Sequence, residues 1–300
     1  MKTYLDCIPC FFKQALEASR IAGASQKTQK KIFDKLSEIL SGISLSFSPP
    51  EIGRVIYGLV REITFEKDPY KKIKDKSNRL ALKLYDRLKY KVSRSDNRLL
   101  TAVELAIAGN IIDYGVKNSL DVNKELNKIL NEEKKTLKKE DSSLFKFRHF
   151  KEVLSKSGNI LYLADNAGET VFDRLLIEEI KRIDRNKKIT YAVKEKPIIN
   201  DALVEDAYRC GINKIARVIS CGSDAPGTIL SLCSEDFLRI YKDIDMIISK
   251  GQGNFEALSQ EKRPIFFLFM AKCPVVAKDV GCNLGDVILL YHLGRKKDYA

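Results

Sequence analysis

The chain has 300 residues, 44% of them hydrophobic and 31% charged, with a formal net charge of +13. That composition suits a globular fold with a real core and excludes a disordered chain. No run of about 18 apolar residues occurs, so neither a membrane-spanning helix nor a membrane partner is expected.

From the amino end, apolar residues recur at helical spacing. The pattern predicts helices over 9–22, 26–40, 50–62, 68–90, 96–114 and 122–130. Ser48 ahead of Pro49-Pro50, Asp68 ahead of Pro69, and Asp96 read as helix starts. Residues 131–146 read as a charged linker, and 147–156 resume as a helix. Beyond residue 158 the pattern becomes strand–helix–strand, which predicts a parallel sheet covered on both faces. Strands are expected over 159–164, 189–193, 215–220, 244–249 and 265–270. The division this suggests is a helical domain, 1–146, and an α/β domain, 147–300.

The charge is uneven. Residues 1–150 hold 30 Lys and Arg against 19 Asp and Glu, and residues 151–300 hold 23 against 21. Much of the excess lies between Lys71 and Arg98. At 100° per residue these positions are expected to wind over most of a helix surface, with few aromatics to stack on bases. A solvated Lys-rich surface is therefore expected rather than a nucleic-acid partner. No apolar stretch follows the basic residue at the start, so no signal peptide is expected and the compartment reads as cytoplasmic. The seven cysteines then count as thiols or metal ligands. Cys7 and Cys10 form one Cys-x-x-Cys pair, open to readings as simple thiols, half a metal site or a redox pair. His149 and His292 lie in unlike contexts, so no catalytic histidine is expected.

All five predicted strands end in polar residues, glycine or lysine. In a parallel sheet ligands bind outside the carboxyl ends of strands, so one site along one edge is expected. The first strand runs into Asp165-Asn166-Ala167-Gly168-Glu169, directly before a helix. Asp165, Asn166 and Asp201 supply the oxygen ligands a hard divalent ion prefers, though both aspartates could equally cap helices. Lys250-Gly251-Gln252-Gly253-Asn254 reads as an oxyanion loop, in which glycines let backbone N–H groups approach and Lys250 adds a charge. Ser223-Asp224-Ala225-Pro226-Gly227-Thr228 could hold an anion or be a plain turn. Asn110 and Asp113 share a face of an apolar helix, and read as cleft-lining residues or a satisfied buried pair.

Several alternatives fail. No G-x-x-x-x-G-K-[ST] is present, which excludes a P-loop enzyme. No G-x-G-x-x-G follows the first strand of the sheet, which disfavours dinucleotide binding. Ala167 stands where an aspartyl-phosphate enzyme carries its second Asp, so a water activated by a metal is the expected nucleophile.

Together these motifs resemble the metal-dependent damage-control phosphatases, long filed as domain of unknown function eighty-nine and similar to the acidic-residue methyltransferase-like proteins. The resemblance rests on Cys7-Ile8-Pro9-Cys10, Asp68-Pro69-Tyr70-Lys71, Ala108-Gly109-Asn110-Ile111-Ile112-Asp113, Ala164-Asp165-Asn166-Ala167-Gly168-Glu169, Pro197-Ile198-Ile199-Asn200-Asp201-Ala202 and Lys250-Gly251-Gln252-Gly253-Asn254-Phe255-Glu256. The cysteine pair points to the mainly prokaryotic branch. The resemblance implies a helical domain packed on a Rossmann-like α/β domain, with the site between them. It implies Mn²⁺ or Mg²⁺, with Co²⁺ or Ni²⁺ as other possibilities, on the matches Asp165, Asn166 and Asp201, and a phosphate-pocket lysine at Lys250.

The resulting expectation is a phosphatase acting on a small phosphorylated metabolite. Asp165, Asn166, Asp201 and Lys250 would form the catalytic set, and Glu169, Ser223, Asp224, Gly251, Asn254 and Asn110 would line the substrate. Glu169 or Asp224 would relay a proton. The rival readings are an S-adenosylmethionine-dependent carboxyl methyltransferase and a nucleic-acid-binding protein using the basic half. Oligomeric state and the exact substrate do not follow from the sequence.

Overall fold

A computed structural model describes residues 1–110 and 141–292. The first five helices are α1 (Cys7–Ile21), α2 (Gln26–Ser41), α3 (Pro49–Thr64), α4 (Lys71–Arg94) and α5 (Arg98–Ala108). Helix α3 starts as its sequence suggests. Pro49 and Pro50 occupy its first turn, and Glu51 reaches back to the Ser48 backbone N–H at 2.7 Å. The predicted helix over 96–114 is seen as α5 up to Ala108. Its continuation past residue 110, Asp113 and the helix predicted over 122–130 lie outside the described residues.

Two short strands follow, β1 (Asp141–Ser142) and β2 (Phe145–Lys146), where the sequence suggested linker. Too short to show a period, they pair with each other, and β2 joins the sheet beside β8. Then come α6 (Phe147–Lys156), β3 (Asn159–Leu163), α7 (Glu169–Ile183), β4 (Lys188–Val193), α8 (Val204–Arg209) and β5 (Arg217–Ser220). The chain ends through α9 (Glu235–Asp243), β6 (Met246–Lys250), α10 (Gln252–Leu258), β7 (Ile265–Met270), α11 (Pro274–Val280) and β8 (Val287–His292). All five predicted strands are present. β8 is an addition that runs antiparallel to β7.

The sheet order is β1-β2-β8-β7-β6-β3-β4-β5. Strands β3 to β7 are mutually parallel, so their carboxyl ends share one edge. β3 pairs with β4 on one side and with β6 on the other, which makes it the topological switch point. Alternate strand residues face opposite layers. Ile160, Tyr162, Met246, Ile248, Phe266 and Leu268 share a core with α4, α5, α6 and α7. Leu161, Leu163, Ile247, Phe267 and Phe269 pack with α9, α10 and α11. Helices α1 to α3 enclose a third core around Phe11, Leu36 and Ile56, which also takes in Ile198 from the α/β half. The fold is thus α/β, a mostly parallel sheet with a helical layer contributed by the amino-terminal half.

Helix α4 buries Lys74, Ser77, Asn78, Ala81, Leu84, Leu88 and Val92. Because that face is taken, Lys72, Lys76, Arg79, Lys83, Arg87 and Arg94 all fall on its exposed side. These six form one stripe, while the exposed Lys71 and Lys89 lie about 100° to one side of it and Lys91 to the other, so the cations as a whole wind over most of the surface that the buried face leaves open. Among the described residues, no helix is long and apolar enough to cross a membrane.

Candidate active site

The segment after β3 and the segment before α8 are laced together. The Ala167 N–H donates to the Asn200 carbonyl at 2.9 Å, and the Ala202 N–H to the Asp165 carbonyl at 2.8 Å. Asn166 and Asp201 form an isolated antiparallel bridge between them. Residues 35 positions apart are thereby set side by side at the switch point. The turn before Asp201 is unusual. Ile199 has φ +44°, which a β-branched residue rarely adopts. Arg61 of α3 holds it by donating to the Pro197 carbonyl at 2.5 Å.

Asn166 spends its amide N–H groups on two carboxylates, Asp165 Oδ2 at 3.0 Å and Glu169 Oε1 at 2.8 Å. That leaves its carbonyl oxygen as the atom that could ligate a cation. Asp201 Oδ2 is buried and has no hydrogen-bond partner. Its nearest cation, Lys194 Nζ, is 3.8 Å away, too far for a hydrogen bond. Burial, with Glu169 and Asp201 alongside, pushes the Asp165 pKa well above the carboxylate range, against the opposing charges of Lys272 and Lys250. Burial likewise raises Asp201 to about 6, with Lys194 opposing. Crowded carboxylates and an orphaned acceptor are what a cation would relieve. Two carboxylates and one amide oxygen also match the hard-ligand chemistry of Mn²⁺ or Mg²⁺. Among the described residues no group of three His, Cys, Asp or Glu is placed to hold a metal, so the amide is essential to this set.

Lys250 is placed otherwise than the sequence suggested. It is 1% exposed, and its Nζ donates to Glu169 Oε2 at 3.1 Å and to Asp173 Oδ1 at 2.8 Å. Asp173 in turn accepts from the hydroxyls of Tyr162 and Tyr191, both at 2.7 Å. Burial lowers the Lys250 pKa, but the two carboxylates outweigh it and hold the ammonium charged. Lys250 is thus a buried counter-charge beneath the site, not a group facing an anion. Glu169 belongs to the same network through both oxygens.

The remaining expected residues divide by what they touch. Gly251, at φ +83°, opens α10 beside Asp165; a Cβ there would lie 2.0 Å from Asp165 Oδ2. Asn254 is fully buried. Its amide donates to the carbonyls of Ala164 and Lys250 at 3.0 and 2.7 Å, and its oxygen accepts from Thr228. It fastens strand ends and has nothing left for a substrate. Ser223 is buried in a turn, with its Oγ accepting from the Ala225 N–H. Asp224 pairs with Arg54 and Arg61 of α3. Burial would raise its pKa, but those arginines hold it below the usual range. It ties the helical half to the 223–228 loop and is held ionised there. Asn110 is buried, and its Oδ1 has no hydrogen-bond partner among the described residues.

Sequence reading passed over Lys272, Asp173, Lys74 and Asn78. Lys272 is exposed just past β7 and its charge acts on Asp165, so it, not Lys250, is the lysine open to an incoming anion on that side. Its signal was present, a lysine at a strand carboxyl end. A groove of about 900 Å³ opens at the opposite, amino-terminal edge of the sheet. It lies among Lys188, Ile189, Ile215, Arg217 and Ile244 and shares no residue with this site.

The family model for the damage-control phosphatase ARMT1-like domain matches residues 3–288. Damage-control phosphatase PH1575 of Pyrococcus horikoshii is 36% identical over 293 residues, covering 97% of this chain and 98% of that protein. A damage-control phosphatase of Archaeoglobus fulgidus is 38% identical over 235 residues, 78% of this chain and 79% of that one. The crystal structure of a P. horikoshii protein of the same domain family superimposes with a TM-score of 0.85 at 32% identity, spanning 97% of this chain and 99% of that chain. Agreement in motif, in fold and along nearly the whole length places this chain in the damage-control phosphatase ARMT1-like family.

Proposed function

We propose that this phosphatase is a divalent-metal-dependent phosphomonoester hydrolase of small phosphorylated metabolites. The observation that carries the reading is the meeting of Asp165, Asn166 and the orphaned Asp201 Oδ2 at the switch point of the sheet. Asp165, Asn166 and Asp201 would hold Mn²⁺ or Mg²⁺, with Co²⁺ or Ni²⁺ also compatible with their chemistry. The ion would supply Lewis-acid polarisation of the phosphoryl group and would acidify water.

The chain's own residues do the rest. Glu169 accepts from the Asn166 Nδ2 and so leaves the amide oxygen as the ligand atom. The Lys250–Asp173–Glu169 network fixes Glu169 in turn. Lys272 offers an ammonium to phosphoryl oxygens from the open side. The Gly251 backbone leaves Asp165 the room it occupies. With Ala167 two residues after Asp165, no side chain there serves an aspartyl nucleophile, so direct attack by water is the reaction these residues suit. A family of phosphatases and a site of hard oxygen ligands both favour this over methyl transfer.

The test is p-nitrophenyl phosphate hydrolysis with Mn²⁺, Mg²⁺, Co²⁺ or Ni²⁺, and with EDTA. EDTA should abolish turnover. Asp165→Ala and Asp201→Ala should do the same while keeping the wild-type circular dichroism. Wild-type turnover in either variant would overturn the ligand assignment.

A further inference from the structure

Helix α4 carries a second lysine toward the site. Lys74 is 2% exposed. Its Nζ lies 2.8 Å from Asp68 Oδ2, yet it makes no hydrogen bond of acceptable geometry, and Asp68 Oδ1 is also without a partner. One turn on and on the same face, Asn78 shows where that face looks. Its Nδ2 donates to Asp206 Oδ1 at 2.6 Å, and its Oδ1 accepts from the Gly168 N–H at 2.7 Å. Gly168 follows Asn166 by two residues. The Lys74–Asn78 face of α4 therefore roofs the segment that carries Asp165 and Asn166.

Two under-satisfied groups result: in the helical half a buried ammonium, Lys74 Nζ, ion-paired with Asp68 but with N–H groups to spare, and in the sheet half a buried acceptor, Asp201 Oδ2. They are not bonded to each other, although the charge of Lys74 reaches Asp201, where with Lys194 it opposes the effect of burial. A buried ammonium with unused N–H groups is costly unless something fills them. A purely structural pair with Asp68 would leave them unfilled.

We propose that Lys74 contacts the phosphoryl group of the substrate, donating to one of its oxygens from the helical side while Asp201 faces the metal ion. Lys74, from the helical side, would thus share with Lys272, on the open side, the role expected for Lys250 from the sequence. This rests on the phosphatase reading.

The experiment uses inorganic phosphate as the probe. Calorimetry would follow phosphate binding to the Mn²⁺-loaded protein, and separately Mn²⁺ binding to the metal-free protein, for wild type, Lys74→Gln and Lys74→Arg. Lys74→Gln should weaken phosphate binding roughly 10- to 100-fold, as for the loss of one hydrogen bond to a charged group. Mn²⁺ affinity should stay unchanged, and Lys74→Arg should restore part of the loss. Equal phosphate affinity in wild type and Lys74→Gln would overturn the assignment and leave the phosphatase reading standing. A joint fall in Mn²⁺ and phosphate affinity would make Lys74 structural and also overturn it. A wild-type protein that bound no phosphate would sink both readings. Should Lys74→Gln fail to fold, Lys74→Arg decides alone: altered phosphate affinity at constant Mn²⁺ affinity supports the contact, and no change rejects it.

Discussion

At the scale of single residues, direction matters more than position. Lys250 was legible as a lysine at a strand end, but not as a buried one. Parity would have shown it: Met246 and Ile248 face the layer containing α7, and Lys250, two further along β6, points the same way toward Asp173 and Glu169. Lys250→Met should therefore strand two buried carboxylates and destabilise the protein by about 3–5 kcal/mol. Lys272→Ala should leave the melting temperature alone and lower turnover. Equal melting temperatures for Lys250→Met and wild type would refute the buried-network account. Titration supplies a second prediction. The folded pKa of Asp201 is about 6, against an ordinary 3.8. For an acid raised in this way, the stabilising contribution is full below about pH 4 and is lost as pH rises through 6. Protons and metal compete for the same oxygens. The rise in melting temperature on adding Mn²⁺ should thus be larger at pH 7.5 than at pH 5, and equal shifts at both would count against Asp201 as a ligand.

Elements were readable where the sequence is long or apolar enough to declare a period. Four largely buried strands and the half-buried edge strand β5 read as apolar runs, and four of the first five helices span at least four turns. The seven-residue helices α10 and α11 and the two-residue strands β1 and β2 are too short to show one. The site's edge was legible, because polar residues at the ends of parallel strands must gather on one side. What was not legible was the lacing of 164–167 to 200–203, which depends on backbone hydrogen bonds between distant segments. Gly251 is the element-scale test. It begins α10 at φ +83°, where a Cβ would overlap the Asp165 carboxylate. Gly251→Ala should displace Asp165, at a cost on the order of 10² in Mn²⁺ affinity, as for other changes to ligand-supporting residues. Calorimetric Mn²⁺ affinity equal to wild type would show that Asp165 has room to move and that the site does not depend on this glycine.

The whole molecule places its charge away from its chemistry. The helical half carries nearly all of the +13, yet the lysines that matter at the site are buried or sit at strand ends. Among the described residues, the exposed stripe on α4 is the feature that revives a polyanion as a partner. Its six cations lie along a 24-residue helix, about 36 Å long at 1.5 Å per residue. Neutralising six phosphates would give a log–log salt slope of at most about −5 on duplex DNA. Such a surface binds mainly through charge: Tyr90 is the one aromatic among its cations, and the groove of about 500 Å³ beside it, between Arg87, Arg94 and Leu100, also takes in the carboxylates of Asp96 and Glu104. Binding of that kind weakens to about 10⁻⁵ M or poorer at physiological salt. The expected result in fluorescence anisotropy is thus strong binding of a random duplex only at low salt, fading by about 150 mM with a slope near that limit. Replacing Lys76, Lys83 and Arg87 by Gln should flatten the slope by about 3, close to one unit per charge removed, and leave phosphatase turnover unchanged. A sub-micromolar dissociation constant at about 150 mM salt would mean specific contacts beyond the stripe, and would make nucleic acid a partner of this phosphatase rather than an accident of its charge.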